Sequence, residues 1–150
     1  MKTINKPIDN LGGLLKIWAI PKSDFYIAGN IVTFPSPQNI YEIYCPPDSM
    51  SFSEQKQKST SGIHYNTEVN GFIVGDTQNN QEAVNYMEPK KWVVIFRDGN
   101  GNYKLAGLAG NPLVFTANLT TGNQTAQRAG YSFKFTGNTL ARSIFINNPF

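Results

Sequence analysis

The run Trp92-Val93-Val94-Ile95-Phe96 offers water no polar side. Pro89 stands before it, and Asp98-Gly99 follows it. A half-buried strand alternates apolar and polar residues, whereas a strand that is apolar at every position needs cover on both faces. The segment has strand length, so it predicts the central, doubly buried strand of a β-rich fold.

The remaining chain reads as short β-branched and aromatic pieces punctuated by turn residues. A first strand spans 14–20 and ends at Pro21, which has no N–H for a ladder. Pieces at 25–27 and 31–34 are separated by the turn pair Gly29-Asn30. Residues 40–44 alternate, with Ile40, Glu42 and Tyr44 on one face and Tyr41 and Ile43 on the other, before Pro46-Pro47. Residues 62–74 alternate well until Gly71, where a bulge is expected to re-aim Phe72 and Val74. Asp98-Gly99-Asn100-Gly101 turns the chain into a returning strand from Tyr103. Further strands are expected at 113–120, at 131–135 with three aromatics on one face, and at 143–146.

One short helix is expected over about 77–88. Asp76-Thr77 can cap it, Ala83, Val84 and Met87 stand at near-helical spacing, and Pro89 stops it. Two polar stretches fit no buried element. Residues 49–61 read as one wall of a long hairpin or as a loop, and residues 121–130 as an extended loop. Residues 1–12 read as a flexible N-terminal arm. The prediction is a single mainly β domain over 1–150, an antiparallel β-sandwich or barrel of about eight or nine strands with one short helix.

Chemistry-bearing residues are sparse. The chain has one His and one Cys, so the common metal cages lack a ligand set, and no internal disulfide can form. Cys45 as a nucleophile would need His64 brought to it by the fold. Asp98, Asn100 and Asn102 match the first spacings of a calcium loop, but Tyr103 replaces its glycine and Ala109 its final glutamate; a hairpin turn explains the same residues. The carboxylates are dispersed and nominate no catalytic pair. No catalytic, metal or cofactor-binding residue is assigned, and no cofactor is expected.

Basic residues are scattered and form no nucleic-acid arm. No apolar stretch reaches the roughly 18–20 residues that cross a bilayer, so no membrane partner is expected. Met1 to Asn10 lacks the apolar segment of a secretory signal, which reads as folding in a cytoplasm. Charged residues are only 15% of the chain, against a usual share of about 25%. Their place is taken by Asn, Thr, Ser, Gln and Gly, a surface suited to permanent packing against copies or partners. Tyr26, Tyr41, Tyr44, Tyr65, Tyr103 and Tyr131 are candidates for stacking a ligand or filling an interface.

Over about residues 50–146 the arrangement is familiar. Ser61-Gly62-Ile63-His64-Tyr65 leads to Gly71-Phe72-Ile73-Val74, a Gln-containing acidic helix, and Trp92-Val93-Val94-Ile95-Phe96-Arg97-Asp98-Gly99-Asn100-Gly101. Then come Leu105-Ala106-Gly107, Pro112-Leu113-Val114-Phe115, Thr121-Gly122 and Gly130-Tyr131-Ser132-Phe133-Lys134-Phe135-Thr136-Gly137. This resembles small structural proteins of tailed bacteriophages and prophages of Bacteroidetes-type bacteria. The resemblance implies a tail-tube-like virion part without catalytic residues, assembled in the host bacterial cytoplasm. It implies a hexameric ring of copies, most simply of the tail tube and next of a baseplate or neck adaptor, touching other phage tail proteins. In a tube the lumen would bring it near phage DNA without base-specific contact. The candidate self-assembly contacts are Glu54, Lys56, Lys58, Asn123, Gln124 and Arg128, drawn from the two polar stretches. The alternative is a non-catalytic carbohydrate- or ligand-binding β module.

Overall fold

The computed structural model describes residues 12–123 and 128–150. In chain order the strands are β1 (Leu14–Pro21), β2 (Tyr26–Ala28), β3 (Ile31–Thr33), β4 (Tyr41–Ile43), β5 (Ser51–Ser59) and β6 (Gly62–Val74). The helix α1 (Gln78–Met87) follows, and then β7 (Lys91–Asp98), β8 (Tyr103–Ala106), β9 (Leu113–Thr120), β10 (Gly130–Thr139) and β11 (Ile144–Ile146). Nine of these strands form one antiparallel sheet and β2–β3 form a separate hairpin. Among the described residues the sheet does not close into a barrel; its path runs β11-β8-β7-β9-β10-β6-β5, with β1 and β4 branching from β7.

That branch makes β7 the hub. One of its edges pairs with β1 from Trp92 to Asp98. Its other edge is shared: Lys91 and Trp92 pair with β9, and Val94 to Arg97 pair with β8. The two halves of the sheet diverge from this strand and pack face to face. Trp92, Val94 and Phe96 point into the main core, with Ile17 and Ala19 from β1, Val69 from β6, Leu113 and Phe115 from β9, and Phe133 and Phe135 from β10. Phe52 of β5, at the far end of the sheet path, reaches Phe96 with ring centroids 4.5 Å apart. The sheet is therefore folded over itself as a sandwich.

Val93 and Ile95 point the other way, into a second core with Trp18, Ile20, Leu105 and Ile146. The segment of the β2–β3 hairpin covers that face through Phe25, Ile27, Val32 and Phe34. Phe150 closes it, stacked on Trp18 at 4.5 Å and on Phe34 at 5.5 Å. Two-sided cover is what an all-apolar strand requires, and Trp92 to Phe96 are all buried.

The helix sits where the sequence signals put it. Thr77 is the N-cap, its hydroxyl accepting the Asn80 N–H at 3.2 Å. Val84 and Met87 face the main core. At its end the buried Trp92 indole N–H donates to the Met87 carbonyl at 2.9 Å. One bond thereby satisfies a helix-terminal acceptor and a core donor.

Gly71 departs from expectation. The β6–β10 register runs unbroken from Val74↔Gly130 to Tyr65↔Thr139, so no bulge re-aims Phe72. The glycine instead makes room. A Cβ there would lie 2.5 Å from Cζ of Phe133 and 3.1 Å from the Cys45 sulfur. Phe133 cannot swing aside, because Phe115 and Phe135 hold it at 5.7 and 5.8 Å between ring centroids. Gly71→Ala is expected to lower stability by about 1–3 kcal/mol through overpacking. Denaturant midpoints should show the loss, and should show it relieved in Gly71→Ala/Phe133→Leu.

Candidate functional site

The polar stretch 49–61 is ordered as β5, the first arm of a hairpin with β6. Register runs from Ser51↔Asn70 to Ser59↔Gly62, leaving Thr60 and Ser61 as the loop. Alternation puts Phe52, Glu54, Lys56 and Lys58 on the core side and Ser53, Gln55 and Gln57 on the outer side. Phe52 alone packs against the main core. The sequence lacks apolar alternation here because β5 is the last strand of its sheet path, and β9 and β10 supply most of the buried apolar side chains of that face.

A two-residue hairpin closes on a pair that exchanges both main-chain bonds, and such pairs recur at every second position. Starting from Ser59↔Gly62, odd-numbered residues of β5 bond to β6. The main-chain N–H and C=O of Phe52, Glu54, Lys56 and Lys58 are directed away from it, along the sheet edge. Lys56 and Lys58 are exposed. Glu54 is not: its side chain is 9% exposed, and it is engaged inside the chain. One carboxylate oxygen accepts the Ser143 N–H at 2.6 Å and the other meets Arg142 Nη1 at 3.2 Å. The Arg142 guanidinium also lies 4.8 Å from the Tyr65 ring centroid. Glu54 thus fixes the segment between β10 and β11 against the edge strand.

The other sequence candidates lie elsewhere. Asn123 and Arg128 are exposed in the connection between β9 and β10, and Gln124 lies outside the described residues. That connection adjoins Gly130, whereas the β5–β6 tip adjoins Thr139, at the other end of β10. The strand rise separates the two groups by about 30 Å. They form two sites, not one.

The outer face of β5, β6 and β10 carries a shallow groove of about 530 Å³, lined by Ser53, Gln55, Asn66, Glu68, Thr136 and Asn138. No tyrosine lines it. Tyr131 is buried, Tyr41 stands edge-on to Trp92 at 5.8 Å, and Tyr103 stacks on Trp18 at 5.9 Å. Tyr26 and Tyr44 are the most exposed of the six candidates, at 63% and 75%.

Asp98 accepts the N–H groups of Asn100 and Asn102, both at 2.9 Å, as a turn-forming side chain. No group of three or more His, Cys, Asp or Glu suited to a metal ion occurs among the described residues. Cys45 packs against Gly71, seven positions along β6 from His64. That spacing is about 23 Å, so the two cannot act as a pair. Burial pushes the Cys45 thiol up from its ordinary value, opposed by a hydrogen bond with the Phe72 backbone. No helix among the described residues is long and apolar enough to cross a membrane.

Two outcomes follow. Glu54→Ala strips the acceptor from the Ser143 N–H and is expected to cost about 1–3 kcal/mol, with faster hydrogen exchange at Ser143 than in the parent. At pH 8 the folded chain should react with an aromatic disulfide reagent more slowly than the urea-unfolded chain, because burial limits access to the thiol and raises its pKa, depleting thiolate. No family model, no curated protein and no solved structure matches this chain.

Proposed function

We propose that this chain is a non-catalytic structural protein of a tailed-bacteriophage virion that assembles with copies of itself through its sheet edges. The observation that carries the reading is β5, a nine-residue edge strand with main-chain groups directed outward. Open edges of that length are commonly covered, broken or paired, since they template association. Exposed Lys56 and Lys58 stand on this edge, and they deter unselective pairing while leaving room for a partner of matched charge.

The phage setting rests on the resemblance carried by the strand and turn motifs over about residues 50–146. In that setting the copies form a hexameric ring of the tail tube or of a baseplate or neck adaptor, assembled in the host cytoplasm beside other tail proteins. A surface rich in Asn, Thr, Ser and Gln supports packing against permanent neighbours. The separation of Lys56 and Lys58 from Asn123 and Arg128 supports contacts at two ends of the subunit, as a ring or stack requires.

A second reading is a carbohydrate-binding β module, favoured by the polar groove at Ser53, Gln55, Asn66, Glu68, Thr136 and Asn138. Binding on a glycan array, lost in Asn66→Ala/Asn138→Ala, would support it, and a blank array would remove it.

Sedimentation and negative-stain microscopy of the purified chain test the leading reading. Concentration-dependent assembly into ring-shaped particles is expected, with the chain present in purified virions by mass spectrometry. A strict monomer at millimolar concentration, absent from virions, would overturn it.

A further inference from the structure

We infer that β5 is a two-fold contact, in which two copies pair β5 against β5, antiparallel, with Gln55 opposite Gln55. The inference rests on the reading that the chain self-associates, and it names the segment and the register. Only Phe52, Glu54, Lys56 and Lys58 direct main-chain groups outward, so an incoming β5 must set even-numbered positions opposite even-numbered ones. A two-fold axis then has to pass through a residue of the strand. Centred on Glu54, the pairing sets two carboxylates face to face; centred on Lys56, it sets two ammonium groups face to face between two Glu54–Lys58 pairs. Centred on Gln55, it sets no like charges face to face: Lys56 lies opposite Glu54 of the second copy, whose carboxylate stays bonded to Arg142 and Ser143 of its own chain. In that register Ser51 meets Ser59, so the whole strand is used, and Phe52 meets Lys58. Shifting the centre to Ser53 or Gln57 shortens the overlap and loses the Glu54–Lys56 match. Like charges directly across an antiparallel pair oppose it, so the register centred on Gln55 is the one that uses the whole strand and opposes none.

Surface beside the edge fits the same contact. Glu54 holds the segment that carries Arg142 and Ser143, and this segment is flanked by exposed Leu140 and Phe145. Next to it lies a small hollow of about 110 Å³ whose lining includes Leu105, Leu108, Leu140 and Ile144 beside Asn111 and Arg142. A copy docked on β5 covers part of this apolar surface. An isologous contact closes on two copies. In a larger assembly it joins two rings face to face and leaves the contact around each ring to another surface.

Two variants test the register. Opposing Cα atoms of a pair that does not exchange hydrogen bonds lie about 4.5 Å apart, within disulfide reach. Gln55→Cys is therefore expected to give a disulfide-linked dimer on mild oxidation, whereas Ser53→Cys, which would face Gln57, gives none. The parent chain with Cys45 serves as the background control. Lys56→Pro removes an N–H that points outward and spares the ladder to β6, as proline on an edge strand can. It should keep the parent's circular dichroism and melting curve while the dimer dissociation constant rises at least roughly tenfold. A Gln55→Cys chain that self-associates but never cross-links places the contact elsewhere, which overturns this inference and leaves the structural-subunit reading standing. A parent chain that stays monomeric at every concentration removes both.

Discussion

Burial of β7 on both faces is the condition around which the molecule is arranged. Five consecutive apolar residues cannot be half-exposed without leaving either Trp92, Val94 and Phe96 or Val93 and Ile95 in water. One face is covered by the folded-over half of the sheet and by α1, the other by the β2–β3 hairpin and Phe150. The Trp92 indole N–H would be stranded in such a place, and the end of α1 meets it with the Met87 carbonyl. The hairpin, the helix and the C-terminal ring are three covers for one strand.

Folding one sheet over itself leaves its margins unpaired. At β4 and β11 the edges are three residues long, and short edges are weak templates. At β5 the edge is nine residues long, and it is the most polar strand of the fold. Its charge cannot be ascribed to solubility alone, because Glu54 is withdrawn from solvent and bonded to Arg142 and to the Ser143 N–H, while Lys56 and Lys58 remain exposed. The same strand thus anchors the β10–β11 connection and presents a charged margin with main-chain groups directed outward. Cys45 and His64 are divided by seven positions of β6, and burial pushes the thiol up from its ordinary value.

Much of the fold was legible because local rules and burial agreed. Alternation at 131–135 put Tyr131, Phe133 and Phe135 on the buried face, Thr77 capped the helix, and Asp98 closed a turn. Residues 49–61 were ambiguous for a physical reason: an edge strand with one apolar contact carries almost no periodic signal. Gly71 was misread for another. A glycine that interrupts an alternating strand has the same sequence signature whether the backbone bulges or a ring from the next strand lies over it, and Phe133 is sixty-two positions away in the chain (133 less 71). The polar stretches carrying Lys56 and Arg128 lie toward opposite ends of β10, a separation that polarity alone does not disclose.

The sequence by itself determined that the chain would be β-rich, where most strands and the helix would lie, and that one strand would be covered twice, because propensity, turns and periodicity act over a few residues at a time. Tertiary structure alone decided that β7 would be shared by two facing halves of one sheet, that β5 would be left at the margin, and that Glu54 would reach Ser143. Those outcomes depend on which distant surfaces meet, and pairing between strands far apart in the chain leaves no mark in the local order of residues.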